Sequence, residues 1–298
     1  MGGPLLPALP EGFGRAAEKL ADTVRHVVDL FAGPDHIRAQ AQAQADSAVI
    51  LAAGRADVQE IETRAVERLR KRETRRQRNI EAITLKAVKA LPSPDQISDS
   101  PVSEDWTSRF FEECQDIGDE QMQQLWARLL AGEVARPGSF SPRTLSVVRD
   151  LTKGDADLFT KLCGFAWWIP GWSGFQPVIK NVNAPPVRAA GLYFPELTHL
   201  TTIGLVELNT SSEYGLRDPI AEIAPTYRDT AHRLKSQGGE GRRFDFGHLV
   251  FTVAGAELFR ISGAQGSDEI RNATLEAWSQ EGWMEDGEAA SPPSEPAA

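Results

Sequence analysis

The stretch "LWARLLAGEVARPGSFSPRTL", residues 125–145, decides how the middle of the chain is read. It gathers Glu133, Arg136, Ser139, Ser141 and Arg143 around Pro137-Gly138, directly behind an apolar helical pattern. Two readings compete: a loop built for chemistry, or a hinge between helices. Gly132 lets a helix fray, Pro137-Gly138 turns the chain, and Ser141 followed by Pro142 restarts it, since proline fits the first helical turn. A pair between Glu133 and Arg136 or Arg143 across the turn would fix its angle. The hinge is the expectation. A binding loop stays open beside it, because exposed loops carry function.

Helices are expected on both sides of this hinge. Ser103 caps one opened by Glu104 and Asp105, whose charges suit the positive end of the helix dipole. Its inner stripe is Trp106, Phe110, Cys114 and Ile117. Asp119 starts a second, with Met122, Leu125, Trp126 and Leu129 inward. After the hinge come Leu145, Val148 and Leu151. Thr152 and Asp155 then have the spacing of a capping box, followed by Phe159, Leu162, Cys163 and Ala166. Four short helices with short connections over 103–168 predict a compact bundle.

Upstream, residues 35–91 hold no proline and end at Pro92. Such a helix would be a rod of roughly 85 Å, weakened at Gly54. Its first half carries the seam Ile37, Ala41, Ala45, Ala48, Ala52, Ala56, close to an 11-residue period that favours nearly straight packing. A lone alanine seam buries little area, so the rod is expected to join copies of the chain or to dock on the bundle. The second half holds "RAVERLRKRETRRQR", residues 64–78. The apolar seam Val58, Ile61, Ala65, Leu69 resumes at Ile80, Ile83 and Ala87, with Arg72 and Arg76 in the stripe between. Buried arginines need partners. A solvated face with local carboxylates, an anion or nucleic-acid contact through Arg70, Arg72, Arg75 and Arg76, and a salt-bridge belt between subunits all remain open.

Residues 1–34 form a Pro/Gly-rich start and an amphipathic helix from Phe13 to Phe31; residues 92–102 are a linker. Residues 169–283 read as a helix around Leu197 and Leu200, a strand, a polar loop, a strand at "HLVF", and a helix behind Thr252. That order is the outline of a winged-helix-like unit. Its loop, 228–243, carries Arg228, Arg233, Lys235, Arg242 and Arg243, as a phosphate-reaching wing would. A last helix from Asp268 to Trp283 leads into an acidic tail, 284–298, expected to be disordered.

Composition bounds the function. A hydrophobic share of 41% with seven tryptophans supports a real core, and a net charge of −10 argues against nucleic acid as partner of the whole surface. Cys114 and Cys163 fall in apolar helical patterns and read as buried thiols. No apolar run is long enough for a membrane span. The amino terminus has no secretory pattern, so cytoplasm is expected. Phosphate-loop, dinucleotide, CxxC, HExxH and GxSxG patterns are absent. No lysine has a carboxylate two residues before it, so the usual (D/E)xK core of metal-dependent nucleases is missing, while other nuclease types stay open. His199 and His248 lie beside apolar runs; an acid/base role would need a carboxylate oriented on one of them.

At "NIEAITLKA", "SEDW", "LWARLLAGEVARPGSFSPRTL", "DADLFTKLCGFAW" and "HLTTIGLVEL" the chain resembles an uncharacterised bacterial family, domain of unknown function 2806. The resemblance spans roughly residues 13–275. It departs at "AQAQAQAD", where relatives alternate alanine with lysine and glutamate. It implies no catalytic residues, and its setting would be accessory or mobile-element genes, phage defence among them.

Together these expectations describe a mainly α protein: a long N-terminal helix, a helical bundle and a C-terminal α+β winged-helix-like unit. Its expected role is a non-enzymatic, self-associating interaction module, a homo-oligomer with a possible protein partner and no catalytic residue, metal or cofactor. A nucleic-acid binder using 64–78 and 228–243 is the alternative.

Overall fold

A computed structural model describes residues 19–20, 22–23 and 56–289. The expectations for the rest of the first helix, for the alanine seam before Ala56 and for residues 290–298 lie outside these residues. Within the short described piece, Leu20 is fully buried and the Lys19 ammonium donates to the Ser98 carbonyl at 2.5 Å. The chain folds as two compact units, Met1–Arg149 and Asp150–Ala298.

The first unit is built on helix α1, Ala56–Ala90. Its sequence holds neither glycine nor proline and is rich in Arg, Glu and Ala, all good helix formers. Pro92 stops it. From Gln59 to Arg78 no side chain of α1 is buried. Only from Asn79 onward do side chains enter the core: Asn79, Ile83, Thr84, Ala87 and Val88, with Leu91 behind them. This segment packs along α3, Glu120–Ala135, whose Met122, Trp126, Leu129 and Leu130 are buried. Two polar side chains at the contact find partners, Asn79 donating to the Gln115 carbonyl and Lys86 to the Gln123 side chain, both at 2.9 Å, whereas the Thr84 hydroxyl and the Trp126 indole N–H are buried without one. Helix α2, Glu104–Cys114, starts at its Ser103 cap and buries Trp106, Phe110, Phe111 and Cys114. Trp106 stacks on Phe110, which meets Trp126 edge-on at 5.3 Å.

The hinge reading holds. After α3 the chain turns at Gly138, whose φ is 88°, and restarts as α4, Pro142–Asp150. Glu133 organises the turn from within. It is buried, and its carboxylate accepts the Gly138 amide at 2.6 Å and the Phe140 amide at 3.0 Å. The Trp106 indole closes the same corner by donating to the Phe140 carbonyl at 2.7 Å.

The helix expected to complete the bundle, α5 (Lys153–Cys163), is present with its capping box, but it belongs to the second unit. There follow strands β1 (Ala166–Trp168) and β2 (Phe175–Pro177), helices α6 (Pro185–Ala189) and α7 (Phe194–Thr202), and strands β3 (Val206–Leu208), β4 (Tyr214–Gly215), β5 (Glu222–Ile223) and β6 (Thr226–Tyr227). Then come β7 (Thr230–Ser236), β8 (Asp245–Gly247), β9 (Leu249–Phe251), α8 (Val253–Phe259), α9 (Asp268–Gln280) and β10 (Trp283–Ala289). The main sheet is antiparallel in the order β10-β7-β6-β1-β2, with β5 also on β7; β3 pairs with β9, and β4 with β8. Its core is aromatic. Trp167 meets Trp278 at 4.9 Å, Trp278 meets Phe244 at 5.1 Å, and Phe244 meets Trp283 at 5.2 Å.

Three expectations need correction. The fold is mixed α+β rather than mainly α, because most strands are two or three residues long and too short to show an alternating pattern. Residues 230–236, expected inside a free wing, are a strand paired on both sides. Its inward positions are His232, Leu234 and Ser236; with two polar residues facing in, the alternation reads as a polar loop. The last helix ends at Gln280, and Gly282, at φ 86°, turns the chain into β10. The start of the expected tail is therefore a strand, with Trp283 opposite Ser236 and Met284 opposite Lys235.

Candidate functional site

The arginine-rich part of α1 lies on a helix surface that is largely open. Of the arginines expected to meet anions, Arg72, Arg75 and Arg76 find partners within the protein. Arg76 donates to both oxygens of Asp116, at 2.7 Å from Nη2, and to Glu73 at 3.3 Å. Arg75 reaches the same Asp116 at 2.8 Å, and Arg72 meets Glu73 at 2.9 Å. The Arg76 hydrogen bond holds the Asp116 carboxyl below the usual carboxylate range, and the same bond raises Arg76. Asp116, in the connection between α2 and α3, thus pins the middle of α1. Arg70 has no ion pair among the described residues, nor do Lys71 and Arg78. With Glu67, Thr74 and Arg75 they line an open furrow of about 440 Å³.

The second basic set is mostly neutralised. Arg233 pairs with Glu222 at 3.4 Å, and Lys235 with Asp286 across the β7–β10 ladder. Arg242 donates to the Glu281 carbonyl at 2.6 Å. Arg243 donates to Asp245 at 2.6 Å and to the Glu213 carbonyl at 3.2 Å. Arg228 stands at φ 56°, the non-glycine residue of positive φ among those described, and has no ion pair there.

The sequence reading missed a cluster behind Arg243. Lys180, with only 4% of its side chain exposed, sits between Glu213 and Glu281, 2.7 Å from the latter. Burial pushes the Glu281 carboxyl above its usual range, although Lys180 pulls it back. His248 stands 3.6 Å from Glu213 and places Nδ1 2.8 Å from the Asn209 carbonyl. A lone lysine in the apolar run "PVIKNV" was the available signal.

Beside this network lies a cavity of about 530 Å³ lined by Gly171, Trp172, Gly215, Leu216, Arg217 and Arg243.

His199 and His232 also meet carboxylates. His199 is 2.6 Å from Asp155, which as a cap already accepts from the backbone and hydroxyl of Thr152. Burial raises the Asp155 carboxyl, but the bonds from His199 and Thr152 outweigh it and leave the net shift downward. His232 meets Glu285 at 2.7 Å, while its Nε2 is buried without a partner. Both cysteines are buried and free, and burial pushes their thiols far up, the opposite of a reactive thiolate. Among the described residues no group of three or more His, Cys, Asp or Glu could hold a metal ion, and no helix is long and apolar enough to cross a membrane.

A family model described as a protein of unknown function, DUF2806, matches residues 63–274. The chain belongs to this family. The matched part of this DUF2806 member takes in the arginine-rich half of α1, the hinge and the cavity. No curated protein and no solved structure matches the chain.

Proposed function

We propose that this DUF2806 protein is a self-associating interaction module, without catalytic chemistry of its own, in which the first half of α1 binds a second copy of the chain. The observation that carries this reading is the division of one helix stripe. Ile83 and Ala87 are fully buried on it, yet Ile61 is 57% exposed and its neighbour Val66 53% exposed, with Ala65 and Leu69 between them half-buried. An apolar stripe left in water lowers the free energy of whatever covers it.

The charges beside the stripe favour a parallel copy. At 100° per residue, Glu62 and Glu73 flank one side, while Arg68 and Arg75 flank the other. Two parallel helices facing each other across a two-fold axis place the acidic flank of one against the basic flank of its partner. An antiparallel pair would set like against like. The apolar seam is small, so the contact is expected to be weak and to loosen with salt.

Light scattering on the full chain at micromolar concentration tests this. A mass above the monomer is expected, reverting to the monomer when Ile61 and Leu69 are both replaced by Asp. A monomer at every concentration overturns the reading and assigns the stripe to a different occupant.

The unpaired Arg70, Lys71 and Arg78, opposite the stripe, support a second reading, a nucleic-acid contact through phosphates. Retention of a DNA duplex at low salt, lost on Arg70→Glu with Arg78→Glu, would place it first. Within the second unit, α7–β3 and β9–α8 are proposed as a winged-helix-like element serving protein contact.

A further inference from the structure

We infer that the cavity beside Trp172 is a binding site for a nucleoside phosphate, the base ring lying against Trp172 and the phosphate held by Arg217 and Arg243. This is independent of how α1 associates. The lining has an unusual make-up for an open surface: one indole, two guanidiniums, the backbone of two glycines and the Leu216 side chain, with no carboxylate.

Trp172 and Arg243 are held in place by their neighbours. Trp172 follows Gly171, whose φ of 84° a side chain would strain. Its amide donates to the Ile169 carbonyl at 3.0 Å, and its ring is braced edge-on by Phe246 at 5.0 Å and Tyr214 at 6.1 Å. The indole is therefore fixed while remaining partly exposed. Across the cavity, Gly215 lies so close to β8 that a Cβ there would fall 2.1 Å from an Asp245 oxygen. That close approach brings β4 against the carboxylate that holds Arg243. Arg243 spends two N–H groups, on Asp245 and on the Glu213 carbonyl. A guanidinium has five, so three remain for a ligand. The buried Lys180 bridges Glu213 and Glu281 behind it, so the support of Arg243 is itself anchored. Arg217 is exposed and makes no ion pair among the described residues, which leaves its whole fork free.

These groups select the ligand by chemistry. Guanidinium forks bind phosphate bidentately, where a lysine would offer only a point charge. An exposed indole face takes a planar ring of any base, since every base has a π-face. The volume of about 530 Å³ is in the range of small-ligand sites. A phosphate alone would leave the indole unused, and an apolar ligand would leave the arginines unused.

The test uses the full chain, with ATP, AMP, a 5′-phosphorylated tetranucleotide and inorganic phosphate as probes in calorimetric titrations. Binding of the nucleotides well above that of inorganic phosphate is expected, together with weakening by added salt. Arg217→Ala, which removes an exposed and unpaired side chain, is expected to lower affinity by about tenfold or more. Trp172→Ala is expected to lower it by a similar factor of about ten. Tighter binding of the tetranucleotide than of AMP identifies the end of a single strand as the source; equal or weaker binding identifies the free nucleotide. No binding at millimolar nucleotide overturns the inference, as does equal affinity for inorganic phosphate, or affinity unchanged in Arg217→Ala.

Discussion

The first half of α1 and the strand β10 have exchanged the fates their compositions suggest. The α1 segment has an apolar stripe and lies open to solvent, whereas β10 begins an acidic stretch and is anchored in the main sheet. The difference lies in what each segment meets. Lys235 and His232 on β7 offer partners to Asp286 and Glu285, and the core accepts Trp283. No described helix runs alongside the first turns of α1 in the way α3 follows its last ones. Burial is thus decided by the available neighbour as well as by hydrophobicity.

The strongest way to break the comparison is Trp283→Ala. Trp283 is buried, with its ring against Phe244, and loss of a buried tryptophan costs about 3–5 kcal/mol. Urea unfolding of the second unit, followed through tryptophan fluorescence, measures it. A loss under about 1 kcal/mol, far below that range, would restore β10 to the status of a tail. The next test contrasts two isoleucines on one stripe. Ile83→Ala is expected to cost about 2–5 kcal/mol, whereas Ile61→Ala stays within about 0.5 kcal/mol in the dissociated chain. Equal losses at both sites, at a concentration where the protein is monomeric, would mean that the first half of α1 is covered within its own chain.

Much of the helical architecture was legible because its punctuation is chemical. Ser103, Asp119, Thr152 and Thr252 all cap the helices that follow them, and Pro92 stops α1 where expected. The strands were largely illegible. A strand of two residues has no period, and β7 turns His232 and Ser236 inward, where apolar side chains would have announced it. The site divides in the same way. A run of eight basic residues is visible in sequence, but the pairing of Arg76 with Asp116 is not, since the two lie 40 positions apart. The cavity was missed entirely. Trp172, Arg217 and Arg243 come from three separate segments, and only the pairing of β4 with β8 assembles them.

The smallest effect expected is at that long-range ion pair, and its sign is set by pH. Asp116 is held below the ordinary aspartate value of 3.8, chiefly by its hydrogen bond from Arg76. A carboxyl depressed in the folded state binds protons less readily there than when unfolded. Its contribution is therefore complete above the unfolded value and is lost as pH falls through the folded one. Both partners are partly exposed, so water screens the pair and its worth is under about 1 kcal/mol. Asp116→Asn is expected to speed amide hydrogen exchange over residues 72–80 a few-fold at neutral pH, where the wild-type pair is intact. Below the folded value the two proteins converge, because protonation has already removed the charge that the substitution deletes. Equal exchange at neutral pH would show that the covered half of α1 holds the helix unaided, and that the arginines around Asp116 are free to serve another anion.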